Sequence, residues 1–95
     1  MLILTRYNGQ RIVVQSSSGQ EMWVSCDSQG VFIEGDPVIP VPWQDRVHEE
    51  LDGELITVIH IGSIGRVKTQ HKIGIDAPAD YLILREELLT RGERA

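Results

Sequence analysis

The chain has one cysteine, few aromatic residues and no long apolar run, and each shortage excludes a class of protein. A lone Cys26 cannot form an internal disulfide or a multi-cysteine zinc site. No apolar stretch approaches the roughly 20 residues of a membrane span, and the first residues lack the pattern of a signal peptide. We therefore expect one small cytoplasmic domain, residues 1–95, that has no membrane partner.

The apolar residues that are present favour strands. The chain has 11 Ile and 9 Val against 8 Leu and 3 Ala, and β-branched side chains pack well on a pleated sheet. The fold class that this composition predicts is mainly β. A core with so few aromatic residues is thin, so self-association is favoured.

Turn residues divide the chain into predicted strands. Asn8 and Gly9 predict a hairpin turn between residues 2–6 and 12–14, and a second hairpin is expected between residues 22–26 and 31–33. Further strands are expected over residues 54–61, 67–75 and 81–84. Alternation predicts that His60 shares a face with Ile56 and Val58, and that His71 shares a face with Ile73 and Ile75.

Two short helices are also predicted. Trp43, Val47 and Leu51 recur every fourth residue after a proline-rich stretch, which is typical of a helix that ends at Gly53. The polar residues 85–91 predict a second helix after the last strand. Trp23 and Trp43 are expected in the core of the segment that contains them.

Four blocks of the sequence resemble one family. They are Met1-Leu2-Ile3-Leu4-Thr5-Arg6, Gly9 before a β-branched run, Ile73-Gly74-Ile75-Asp76-Ala77-Pro78, and Leu84-Arg85-Glu86-Glu87-Leu88. Together these blocks resemble the carbon storage regulator family of bacterial RNA-binding proteins (CsrA/RsmA type). The resemblance implies an intertwined antiparallel β-sheet homodimer, in which the first strand of one subunit lies beside the last strand of the other.

The resemblance also implies a function. Family members bind GGA motifs in single-stranded loops of mRNA leaders or small RNAs and control translation, without a cofactor and without catalysis. The RNA-binding residues would be Leu4, Thr5 and Arg6 on the first strand and Arg85 after the last. Weaker candidates are Tyr7, Leu82, Leu84 and Leu88. Tyr7 and Leu84 depart from the family, which commonly has a basic residue and a histidine at these positions.

An insertion of 38 residues, 15–52, separates the family-like blocks. It is predicted to hold a β-hairpin, a loop and the short helix. It carries a formal charge of -7, which leaves +2 for the rest of the chain. Because the family connects these strands tightly, we expect the insertion to be dispensable for the fold.

Two hypotheses about function remain open. The first is an RNA-binding regulator of translation. The alternative is a protein-interaction paralogue whose acidic insertion recruits a partner or occludes the RNA face.

Metal binding and catalysis are not expected. His48, His60 and His71 have no ligand spacing between them. Neighbouring carboxylates such as Glu86 and Glu87 diverge on a helix, so they are unsuited to act as a catalytic pair.

Overall fold

Two antiparallel β-sheets, packed face to face, make up the computed structural model, which describes residues 1–64 and 69–88. Sheet A has the strand order β1-β8-β7-β6, and sheet B has the order β5-β4-β3-β2-β9. The strands are β1 (Leu2–Tyr7), β2 (Arg11–Gln15), β3 (Glu21–Asp27), β4 (Gly30–Ile33), β5 (Ile39–Val41), β6 (Arg46–Leu51), β7 (Glu54–Ile64), β8 (Gln70–Asp76) and β9 (Leu82–Arg85). Residues 86–88 are helical. The prediction of a mainly β fold is confirmed.

The core lies between the two sheets and is built by alternation along the strands. Ile56 and Val58 of β7 and Ile73 and Ile75 of β8 are fully buried from sheet A. Sheet B contributes the inward residues of β2, β3 and β4, among them Ile12 and Val24. Side chains along these strands thus alternate between the core and the outer face, as in other sandwiches.

Residues 15–52 are part of this core. They supply β3, β4 and β5 to sheet B and β6 to sheet A. Seven buried apolar side chains come from this segment: Met22, Val24, Cys26, Val31, Ile33, Val41 and Leu51. The expectation that the segment is dispensable does not hold for this architecture, because its removal takes three of the five strands of sheet B.

The first turn is predicted correctly, but its flanking strands do not pair. Gly9 has a positive φ of 88°, and the amide of Gln10 donates to the carbonyl of Tyr7. However, β1 pairs with β8 while β2 pairs with β3 and β9. The predicted hairpin is wrong because the turn carries the chain from sheet A to sheet B.

The predicted helix over residues 43–51 is also wrong, since β6 is a strand paired with β7. Asp52 and Gly53 connect them, with φ of 54° and 80°. Two successive residues with positive φ define the tight hairpin turn that matches the twist of a strand pair. Gly53 is thus a turn residue and does not end a helix.

Other predicted elements are confirmed. Strands β3 and β4 form the second hairpin, and His60 and His71 share the buried faces of their strands with the expected neighbours. Residues 65–68, with the predicted strand position Val67, lie outside the described residues, as do residues 89–95, which include the last three residues of the predicted C-terminal helix.

Both terminal strands have neighbours within the one chain. β1 lies at an edge of sheet A beside β8, and β9 lies at an edge of sheet B beside β2. The family resemblance implies that the first strand of one subunit lies beside the last strand of its partner. Within this single chain, the first strand β1 and the last strand β9 lie in different sheets. In the described part of the chain, no helix has the length and apolar character needed to cross a membrane.

Candidate nucleic-acid interface

Strand β1 carries four of the residues predicted to bind RNA, and alternation separates them. Leu4 faces inward and belongs to the core, whereas Thr5 is half-buried and Tyr7 is 54% exposed on the outer face. β1 has only β8 as a neighbour among the described strands. One backbone edge of β1 is therefore not used by the ladder and can bind another chain through its N–H and C=O groups.

Arg6 is buried, which the sequence does not predict. Only 2% of the residue is exposed, and its guanidinium forms a two-bond ion pair with Glu87. Nη1 donates to Oε2 at 3.2 Å and Nη2 donates to Oε1 at 2.7 Å. Within the described residues, Nε has no hydrogen-bond partner. Arg6 is thus engaged within the protein, through the bidentate geometry that suits a carboxylate.

The Arg6–Glu87 pair joins the two ends of the chain. Hydrogen bonding from Arg6 lowers the pKa of Glu87, and the charge of Arg85 lowers it further. Arg85 itself is exposed, and so is Leu88. The end of β1 and the residues after β9 therefore meet at one corner of the sandwich, which we call the Arg6–Glu87 corner: Thr5, Arg6, Tyr7, Arg85, Glu87 and Leu88.

Leu82 and Leu84 do not face the same way as Arg85. Leu84 lies opposite Val13 and Leu82 lies opposite Gln15, on the outer face of sheet B. Because side chains alternate along a strand, Arg85 is on the other face of β9. Two of the three leucines predicted to bind RNA, Leu82 and Leu84, therefore lie on the face of β9 opposite to Arg85.

Lys72 was missed by the sequence analysis. The register of β8 places it directly opposite Thr5, and it is exposed on the outer face of sheet A. Opposite residues of an antiparallel pair lie about 5 Å apart. The sequence shows that Lys72 lies in a strand, but it does not show that this strand pairs with β1 and so places Lys72 beside Thr5.

Neither tryptophan is in the core, contrary to the expectation. Trp23 faces outward from sheet B, where the guanidinium carbon of Arg11 lies 4.2 Å from its ring centroid. Glu34 and Glu86 both bond Arg11, and Ser25 donates to Glu34. Because side chains alternate along β3, Met22 and Val24 point into the core, whereas Trp23 and Ser25 point outward and join this network.

A second feature, a buried histidine pair, was not predicted. Nε2 of His60 lies 3.1 Å from Nδ1 of His71, and both rings are almost fully buried. Burial lowers the pKa of His60, and the neighbouring His71 lowers it further. The pair forms because His60 and His71 lie on the inner faces of paired strands β7 and β8.

Other candidate groups have a structural explanation. Burial raises the pKa of the Cys26 thiol to about 11, so this residue stays protonated as a small core side chain. Over residues 1–64 and 69–88, no cluster of three potential metal ligands is found.

Five of the eight acidic side chains of the insertion line a groove of about 330 Å³. The residues that give it this character are Glu21, Glu34, Asp36, Glu49 and Glu50. Glu50 of β6 lies opposite Leu55 of β7. Further along β7, Ser63 lies opposite His71 of β8, which in turn lies opposite Arg6 of β1. At about 3.3 Å per residue, the distance along β7 from Leu55 to Ser63, and so from Glu50 to Arg6 in the strand direction, is roughly 25 Å.

Comparison of the chain with protein-family models, with curated proteins and with solved structures finds no match in any of the three.

Proposed function

We propose that this protein is a sequence-specific, single-stranded RNA-binding regulator that recognises GGA motifs in mRNA leaders or small RNAs and controls translation in the bacterial cytoplasm. The observation that carries the proposal is the Arg6–Glu87 corner. It assembles residues from both ends of the chain, which are the ends on which the family resemblance rests.

The corner offers three kinds of contact that suit unpaired RNA. Tyr7 presents an exposed ring for base stacking, and the free edge of β1 presents backbone donors and acceptors. Arg85 at the corner and Lys72 of β8, which lies opposite Thr5, are exposed cations for phosphate or guanine. These contacts lie on different sides of the corner, so a single strand of RNA would wrap around it.

Arg6 acts in this proposal as a positioning residue. Its guanidinium holds Glu87, which lies in the helical segment 86–88 that follows Arg85. Loss of Arg6 would release this segment from β1. Its effect on RNA would therefore be indirect, unlike that of Arg85.

Two acidic residues of the insertion lie far from this corner. Glu49 and Glu50 lie on β6, far along the sandwich from Arg6. A separation of roughly 25 Å exceeds the Debye length of about 8 Å at physiological salt. Glu34 and Glu86, which are closer, share Arg11 as an ion-pair partner, which offsets one of their two negative charges.

A homodimer remains part of the proposal. Leu2 and Ile3 are exposed on the edge strand β1, and Leu82 is exposed on the edge strand β9. A second copy of the chain would cover these apolar side chains and protect the strand edges.

The test is the affinity for a labelled GGA hairpin, measured by fluorescence anisotropy. Arg85→Ala should weaken binding about tenfold or more, because a hydrogen bond to a charged group contributes about 1.5–3 kcal/mol. Lys72→Ala should weaken binding and reduce its salt dependence. Arg46→Ala is the matched control, since this exposed arginine lies three strands from β1 in sheet A. Equal losses for Arg85→Ala and Arg46→Ala would contradict the proposal.

The acidic groove supports the second candidate, a protein-interaction paralogue. Its carboxylates surround a concave surface, which would suit a basic segment of a partner protein. This candidate predicts that Glu49→Lys and Glu50→Lys abolish partner binding and that the parent protein does not discriminate GGA from CCA hairpins.

A further inference from the structure

A second concave site lies between the turn that joins β3 to β4, the residues around β5, and the paired strands β7 and β8. It is a cavity of about 230 Å³. Val31, Val41 and Pro42 form apolar walls, while His60 and Ser63 supply polar atoms. Trp43 lies at the rim and is 61% exposed. The cavity thus combines an aromatic face with a polar edge, as small-molecule sites do.

Hydrogen bonding fixes the tautomers of both histidines. Nε2 of His71 lies 3.0 Å from the carbonyl oxygen of Asp27, which can only accept, so Nε2 of His71 carries the proton. Nδ1 of His71 is then an acceptor, and Nε2 of His60 donates to it across 3.1 Å. In the neutral His60 ring, Nδ1 is left as an acceptor.

His60 lines the cavity, and because its Nε2 is bonded to His71, Nδ1 is the ring nitrogen left for an occupant. Within the described residues, Nδ1 makes no hydrogen bond, although the residue is 97% buried. Cε1, the ring carbon between Nδ1 and Nε2 of His60, is the nearest atom to the position that a Gly30 side chain would occupy, at 3.9 Å. Gly30 also lines the cavity, so its missing side chain leaves this edge of His60 accessible.

The backbone holds Trp43 in place beside this edge. The amide of Gln44 donates to the carbonyl of His60, and the amide of His60 donates to the carbonyl of Asp45. Gln44 has a φ of 59°, which costs free energy for a residue with a side chain. This conformation keeps the large ring of Trp43 at the rim and out of the apolar interior.

The cavity has the size of one planar ring system. An engineered apolar cavity of about 150 Å³ binds benzene, so 230 Å³ has room for a larger ring with polar substituents. An occupant must also offer an N–H to His60 and a flat face to Trp43. Guanine and uracil present such a ring N–H, whereas their methylated forms do not.

We propose that this cavity binds one nucleobase, with its face against Trp43 and its ring N–H donating to Nδ1 of His60. The base can come from a free nucleoside or from an unpaired position in RNA. The second source rests on the proposed function. Asn8, which follows Tyr7 directly, lies 3.0 Å from His71, so the cavity adjoins the end of β1.

Titration with nucleosides tests the free-base source. In a Trp23→Phe background, guanosine and uridine should quench Trp43 fluorescence in a saturable way. 1-Methylguanosine and 3-methyluridine should bind about tenfold more weakly or worse, because the acceptor of His60 would be left unpaired. Calorimetry should show loss of binding in Trp43→Ala and His60→Phe, while His48→Ala, at an exposed histidine, should bind like the parent. Thermal unfolding of each variant checks that the fold is retained.

RNA hairpins test the second source. If a GGA hairpin quenches Trp43 and Trp43→Ala weakens its binding, the cavity takes a base of the RNA. If nucleosides bind but Trp43→Ala leaves RNA affinity unchanged, the cavity takes a free base. If neither nucleosides nor RNA quench Trp43, the inference is overturned. The proposed function still stands in that case, provided that Arg85→Ala weakens RNA binding.

Discussion

Glu87→Gln should destabilise the protein more than removal of its partner Arg6 does. The Arg6 guanidinium is almost completely buried, whereas Glu87 is half-exposed. Glu87→Gln leaves a buried charge without its counter-charge. Breaking a buried pair in this way costs about 3–5 kcal/mol, and the exposure of Glu87 reduces this to about 2–3 kcal/mol.

Arg6→Met should be much milder. It removes the charge together with its desolvation cost and fills a similar volume with apolar atoms. We expect a change within about 1 kcal/mol in either direction. The unpartnered Nε of Arg6 supports this order, since it is a further unsatisfied group that the substitution removes.

The assay is urea unfolding at neutral pH, with the slope m required to be the same for all variants. Glu86→Gln is the matched control. Its partner Arg11 is far more exposed than Arg6, so the loss should stay below about 1 kcal/mol. If Arg6→Met costs more than Glu87→Gln, or if Glu86→Gln costs as much as Glu87→Gln, the reasoning is refuted.

Three further predictions concern acid, a turn and assembly. The folded-state pKa of His60 is lowered, so the stability of the protein should fall as the pH drops below about 6.5, where histidine in the unfolded chain binds a proton. When thermal unfolding is measured at a series of pH values, His60→Gln should reduce this pH dependence, whereas His48→Gln should not. Gly53→Ala should cost about 1–2 kcal/mol in urea unfolding, because φ is 80° there, and an effect no larger than that of Gly62→Ala, where φ is not positive, would count against the turn. Light scattering should report twice the 10.7 kDa chain mass; a monomer would show that the strands of one chain suffice.

Local patterns predicted much of the fold. The alternation along β7 and β8 gave the correct inward faces, because a half-buried strand has a strict period of two. The hairpin of β3 and β4 followed from turn residues between two β-branched runs. Such signals depend only on neighbouring residues.

Strand β6 shows where a local pattern is ambiguous. Val47 and Leu51 are four residues apart, a spacing that puts two side chains on the same face of a helix and of a strand alike. Asp52-Gly53 before an alternating run was the stronger signal, since this dipeptide favours the tight hairpin turn. The helix prediction gave too much weight to the position of Trp43, which lies outside the strand.

The candidate site depends on contacts that cross the chain. The ion pair of Arg6 with Glu87 and the row of Thr5 with Lys72 require knowledge of which strands are neighbours. Sequence patterns give the faces of a strand but not its partners. The histidine pair is an intermediate case, because both inward faces were predicted and only the pairing of β7 with β8 was missing.

The most direct test of the proposed function is discrimination between a GGA hairpin and the same hairpin carrying CCA. Both RNAs should be titrated with the parent protein at physiological salt and again at higher salt, because phosphate contacts alone give binding that is independent of sequence. The account predicts at least about tenfold tighter binding of the GGA hairpin at both salt concentrations. Equal affinities for the two hairpins would contradict it.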